Sequence, residues 1–216
     1  PFYDSFYCNK DQIKKLKTNI GVNDSDKIIA FTSFPTTSRK IGATDGQYFK
    51  EEYELMLRKV IGVSINLGCH ILIKPHPVDN NKIDRIVNNF LKKDRIHIIN
   101  NMNALEMISI SDLVVGVHSK VSFETILSNK KYLLLQWNQV PDLMKLIEYN
   151  VCCQVSFNSQ DINDKLKRSL FDPVDDSYLL NRKRYLQDMY VYPYDKSSDR
   201  LLNVFDQIIK KPNSFK

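Results

Sequence analysis

SDLVVGVHSKVSFETILSNKKYLLLQ, residues Ser111 to Gln136, sets two apolar runs on either side of a mixed segment. DLVVGV and KYLLLQ are short and nearly continuous in apolar residues, as strands buried on both faces are. Between them, Lys120 to Ser128 has the length and composition of a helix. Two such strands joined through a helix make a crossover unit, and crossover units build parallel sheets.

The alternation extends in both directions. Upstream, KIIAFTSF (Lys27 to Phe34) predicts a first strand that ends in the polar TTSRK. Gln47 to Leu67 carries Phe49, Tyr53, Leu57, Val60, Ile61 and Ile65 at helical spacing and stops at Gly68, a C-terminal glycine signal. The strand HILIK follows, then a helix over about Asn80 to Lys92, the strand RIHII and a short helix from Ala104 to Ser109. Downstream, DLMKLIEYN predicts a helix, CCQVSF a short strand and SQDINDKLKRSL a helix. The fold expected is α/β, with strands and helices alternating through a parallel sheet.

Residues 1–26 read as a linker with one short amphipathic helix, KDQIKKLKTNIG. Residues 27–175 form the sheet domain, and 176–216 a helical tail. The tail ends in a helix with an apolar stripe of Leu201, Leu202, Phe205, Ile208 and Ile209, capped by Ser197 or Ser198.

Bulk composition limits the function classes. With 43% apolar and 26% charged residues in 216, the chain can bury a sizeable core. Its net charge of +6 comes from 31 basic and 25 acidic residues that are interleaved. That balance suits an anionic ligand and lacks the dense basic stripe of a nucleic-acid binder. Cys8, Cys69, Cys152 and Cys153 have no metal-ligand spacing and fit a reducing cytoplasm. No run approaches the roughly 18 apolar residues of a membrane span. The opening proline predicts a piece of a longer polypeptide.

Ligands of open parallel sheets bind outside the carboxyl ends of the strands. Three loops fall there: SFPTTSR, KPHPVDN and GVHSKVSFE. In the second, Pro75 and Pro77 hold Lys74 and His76 in extended geometry, so the imidazole stands at a stiff corner. It can donate to a phosphate oxygen, and Lys74 can add charge beside it. In the third, a strand runs through Gly116 to His118, Ser119 and Lys120, where a helix begins. The unpaired N–H groups of its first turn attract anions, and the Ser119 and Ser122 hydroxyls can join them. Glu124, one turn on, can accept from sugar hydroxyls. Taken singly, Ser119 serves as a helix N-cap and Glu124 as a first-turn acid. Their occurrence with KPHP favours a phosphate site.

These motifs resemble the C-terminal, donor-binding half of GT-B glycosyltransferases. The nearest by motif are surface-polysaccharide transferases, CDP-glycerol glycerophosphotransferases and bacterial sialyl- and polysialyltransferases. The resemblance implies a Rossmann-like doubly wound parallel sheet with a C-terminal crossing helix. It places His76 at the donor phosphate as the catalytic contact, with Ser119 and Ser122 as serine-motif contacts and Glu124 on the ribose. Lys74, His118 and Lys120 complete the donor-binding set. Lys120 stands where relatives have the second serine of a pair, so the donor's identity stays open. His118 either lines the crevice or packs at the strand end.

In the first loop, which lacks the glycine-rich turn of many relatives, Thr32, Ser33, Thr37 and Arg39 read best as a solvated polar turn. Thr32, Ser33 and Arg39 are kept as further donor contacts. His70 and His97, inside strands, read as structural.

The function expected is transfer of a sugar from a nucleotide-activated donor, CMP-sugar first, to a surface glycan acceptor. A CDP-glycerol-type polyol-phosphate transferase, a nucleotide-sugar epimerase and a non-catalytic docking module are the alternatives. The basic NRKRY (Asn181 to Tyr185) is the feature to watch for the docking module, which would dock another subunit or the membrane face. The resemblance implies no cofactor or metal and an absent N-terminal half that supplies the base; the location expected is cytoplasmic, with peripheral contact at the inner membrane face.

Overall fold

A computed structural model describes residues 8–33, 46–76, 80–91, 93–136, 141–142, 144–156, 160–190 and 206. Six strands form one sheet: β1 (Ile28–Thr32), β2 (His70–Lys74), β3 (Ile96–Ile98), β4 (Leu113–Gly116), β5 (Lys131–Gln136) and β6 (Cys153–Ser156). Their order is β3-β2-β1-β4-β5-β6, and every pairing is parallel. From β1 the chain builds outward through β2 and β3. It then returns to the centre and builds the other way through β4, β5 and β6.

The helices are α1 (Lys10–Asn19), α2 (Gly46–Asn66), α3 (Asn80–Val87), α4 (Ala104–Ile110), α5 (Lys120–Leu127), α6 (Ile162–Phe171) and α7 (Asp176–Tyr190). They cover both faces because the strands are apolar on both. In β1, Ile29 and Phe31 pack into a core with Leu57 and Ile61 of α2, Ile83 of α3 and Leu166 of α6. Ile28 and Ala30 face the other way, into a core with Met107 of α4, Ile126 of α5 and Tyr185 of α7. The period-two alternation of side chains along a strand divides one apolar run between two cores. The expected doubly wound Rossmann-like sheet is therefore the architecture found.

Helix ends follow local chemistry. Asn9 with Gln12 and Asn103 with Glu106 form reciprocal capping boxes on α1 and α4. After α2, Gly68 adopts φ +75°, the left-handed conformation that glycine takes without strain.

Two expectations are corrected. The helix expected over Asn80 to Lys92 stops at Val87 and passes into turns. DLMKLIEYN forms no helix in its described residues. There Lys145 takes φ 52°, and the Asp142 carboxylate accepts the Leu146, Ile147 and Glu148 amides at 2.9, 2.7 and 3.2 Å. A left-handed residue and a side chain that claims successive backbone donors stop a helix from propagating. The terminal helix expected near 201–209 lies outside the described residues, apart from helical Asp206.

Candidate functional site

The strand order reverses between β1 and β4, so the helices leave on opposite sides and a crevice opens at the carboxyl ends of these strands. Thr32 and Ser33 end β1. Lys74 and His76 lie at the end of neighbouring β2, and Gly116 to Ser119 lead from β4 into α5. Sequence-distant candidates thus meet at one sheet edge, around the switch point.

Ser33 holds the KPH corner. Its amide donates to Lys74 O at 3.1 Å, and its hydroxyl accepts from the His76 amide. The solvated turn expected for Thr32 and Ser33 is therefore corrected: Thr32 is buried at 7% exposure, and Ser33 is a structural tie. Lys74 Nζ donates to Met102 O at 2.6 Å, so its charge lies beside a backbone carbonyl. Pro75 is buried and His76 half-buried. Thr37, Arg39 and Pro77 lie outside the described residues.

On the β4 side, Gly116 is required by packing. A Cβ there would collide with Thr32 Oγ1 and lie 2.7 Å from the Tyr132 hydroxyl oxygen. The buried Tyr132 hydroxyl donates to Val117 O at 2.6 Å, which fixes the carbonyl one residue before His118. Ser119 is the N-cap residue of α5 in position, yet its side chain makes no cap hydrogen bond. It interacts instead with the Tyr132 phenol, whose pKa burial pushes far up. The first turn of α5 is thus not closed by the hydroxyl that would ordinarily cap it.

The rest of the α5 set divides. Ser122 is fully buried, and its hydroxyl donates back to Ser119 O at 2.6 Å, so the structure does not bring it to the crevice surface. Glu124 is 7% exposed and lies 3.4 Å from Lys120 Nζ, whose side chain is 75% exposed. The pair is exposed at its lysine end and buried at its carboxylate end, so Lys120 can leave it only where other donors take its place on Glu124.

Of the two placements open for His118, the ring takes the packed one. Its Nε2 lies 2.9 Å from Gln136 Oε1 at the end of β5, and its Nδ1 3.6 Å from Asp142 Oδ1. Sequence reasoning missed both partners. Pro141-Asp142 carries a turn signal, but nothing local pairs it with residue 118.

His70 and His97 are structural, as expected. Their Nδ1 and Nε2 lie 2.9 Å apart, and His70 faces Asp26 at 3.7 Å near the opposite sheet edge. Among the described residues no group of three His, Cys, Asp or Glu could hold a metal, and no helix is long and apolar enough to cross a membrane. A cavity of about 320 Å³ lies at the amino ends of β5 and β6, lined by Tyr132, Cys152, Cys153, Arg168 and Tyr178 among others. None of the sequence-predicted site residues line it, and the convergence at the carboxyl edge is the stronger functional signal.

The chain has the Rossmann-like architecture found in GT-B transferases. A glycosyltransferase from Rickettsia africae ESF-5 superposes with a TM-score of 0.66 at 15% identity, over 99% of this chain and 55% of that one. The wall teichoic acid polymerase TagF gives a TM-score of 0.60 at 14% identity, over 95% and 49%. The UDP-GlcNAc 2-epimerase of Methanocaldococcus jannaschii, solved with UDP-GlcNAc and UDP, gives 0.56 at 11%, over 88% and 51%. At such identities the likeness is one of fold, and the chain spans about half the length of these proteins. The family is given by sequence: CDP-glycerol:poly(glycerophosphate) glycerophosphotransferase matches residues 1–206, and the chain belongs to that family of transferases. No curated protein sequence matches it significantly.

Proposed function

We propose that this chain is the donor-binding half of a transferase that moves glycerol phosphate, or a related polyol phosphate, from a CDP-activated donor to a growing surface polymer. The observation that carries the reading is the meeting of the KPH corner and the Ser119 turn at the strand-order reversal, in a chain of this family. Family membership favours the CDP-polyol donor over the CMP-sugar placed first on motif grounds. The cytidine nucleotide is common to both. For an epimerase, only the fold argues.

In the proposed reaction an acceptor hydroxyl oxygen forms a bond to the donor's β-phosphorus. The bond from that phosphorus to the bridging oxygen breaks, and CMP leaves with the oxygen. His76 donates to the departing phosphate, and the first-turn amides of α5 with Ser119 hold the phosphate oxygens. Lys120 can swing from Glu124 to add charge, which frees Glu124 to accept from ribose hydroxyls. Lys74 contributes at longer range. The acceptor's proton passes to a base on the other half of the enzyme. Protein groups neutralise the phosphates in this scheme, which calls for no metal, and the work is done at the cytoplasmic membrane face.

Calorimetric titration of the 216-residue chain with CDP-glycerol, CMP, CDP, UDP and GDP tests it. Cytidine nucleotides are expected to bind best, with affinity falling at least about tenfold in His76→Ala, the worth of one charge-assisted hydrogen bond. Equal responses to all five, indifferent to His76, would sink the reading. Sustained transfer by this chain alone would refute the assignment of the base to another half.

A further inference from the structure

His118 precedes the N-cap position of α5, and only 8% of its side chain is exposed. Its Nε2 meets Gln136 Oε1 at 2.9 Å. Its Nδ1 is buried without a hydrogen bond at ordinary distance, facing Asp142 Oδ1 at 3.6 Å. A ring that carries its proton on Nε2 alone turns the Nδ1 lone pair toward a carboxylate, so a buried acceptor confronts a partly buried one. Such a contact is unfavourable on the His118 side, where the ring is buried. A proton on Nδ1 removes it whichever way the Gln136 amide is turned. The ring then either accepts from that amide or donates at both nitrogens.

Asp142 cannot readily turn away, because both its oxygens accept backbone amides of residues 146–148. The other titratable groups packed here stay neutral: burial pushes the Tyr132 phenol and the Cys152 thiol far up, and the Asp142 charge adds to the effect on Cys152. Lys120 and Glu124 on α5 pair with each other. Of these titratable groups, His118 is the one whose ring nitrogen faces Asp142.

We propose that Asp142 is a positioning residue of the donor site. It holds a proton on His118 Nδ1, fixes the ring between itself and Gln136, and thereby sets the β4–α5 turn in the shape that receives the donor phosphate. This rests on the donor-site reading above. It makes phosphate binding depend on Asp142 through the His118 ring.

The test is ¹⁵N NMR of the histidine imidazoles in the full chain, with His118→Gln for assignment, alongside CDP titration by calorimetry. Wild type is expected to show a proton on Nδ1. Asp142→Asn, which keeps an oxygen for the backbone amides, is expected to move the proton to Nε2. It should also weaken CDP binding about tenfold, and Asp142→Glu should recover part of that loss. Should Asp142→Asn fail to fold, His118→Gln carries the affinity measurement, with the same loss expected. An unprotonated Nδ1 in wild type overturns the proposal, as does unchanged CDP affinity in the variant read. Nδ1–H in a chain that binds no cytidine nucleotide at all refutes the donor reading separately, and reduces the pair to a structural tie.

Discussion

Ser33 joins the end of β1 to His76. Its hydroxyl accepts from the His76 amide while its own amide donates to Lys74 O at 3.1 Å, so one serine extends the sheet ladder past β1 and anchors the KPH corner. Strand register does this: Thr32 pairs with Lys74, which sets the next residue of β1 against the turn that follows β2. Ser33→Ala is expected to lower stability by about 1 kcal/mol and to weaken CDP binding several-fold by loosening the corner. Urea unfolding and calorimetry on one preparation check both effects. Unchanged affinity would show that the two prolines suffice.

Gly116 is the tightest position of the site. A methyl group there would collide with Thr32 and crowd the Tyr132 hydroxyl, so Gly116→Ala is expected to destabilise by about 1–3 kcal/mol through overpacking. It should also displace the Tyr132 contact to Val117 O. A thermal melt within a degree of wild type would show that the β1, β4 and β5 ends are more yielding than their geometry implies.

Arg182 of α7 donates to Ile126 O at 2.7 Å and to Leu127 O at 2.8 Å, satisfying carbonyls at the C-terminus of α5 with a cation on the favourable end of the helix dipole. Arg182→Ala is expected to cost about 1.5–3 kcal/mol, and Arg182→Lys to restore only part, because an ammonium lacks the planar fork. Urea midpoints of the two variants check this; equal stabilities would mean that α7 docks by its apolar face alone.

Burial holds the pKa of both His70 and His97 below the ordinary 6.5, and for His97 the neighbouring His70 adds to the effect. Asp26 and Asp94 oppose the shift at His70 without overcoming it, and Arg95 reinforces it. A base with a depressed folded-state pKa takes up more protons when unfolded. This contribution to stability is therefore complete above pH 6.5 and is lost as the pH falls from 6.5 through the folded-state values. The urea midpoint should drop between about pH 7.5 and 5.5, and drop less in His97→Gln. A profile flat for both proteins, or steeper in the variant, would contradict this.

The β and α alternation was readable in the sequence because a parallel sheet demands local signals: apolar runs, helical periodicity and Gly68. The KPH corner and the Ser119 turn were readable because strand ends in such a sheet fall on one edge. Ser33 was misjudged as solvated, since a lone serine after a strand gives no sign of a partner 43 residues on. DLMKLIEYN has helical composition, and only the carboxylate of Asp142 and the left-handed Lys145 show why it turns instead.

The sequence by itself determined the fold class, the family and the two segments that carry the candidate phosphate chemistry, because these depend on periodicity, backbone restriction by proline and glycine, and residue order. Tertiary structure decided which hydroxyls remain for a ligand. Ser122 is drawn into the helix, Ser119 is left uncapping beside Tyr132, and His118 is locked between Gln136 and Asp142. The Ser122 outcome is local to its helix, whereas those of Ser119 and His118 depend on packing across the sheet, where Gln136 comes within hydrogen-bonding reach of His118 from 18 residues away.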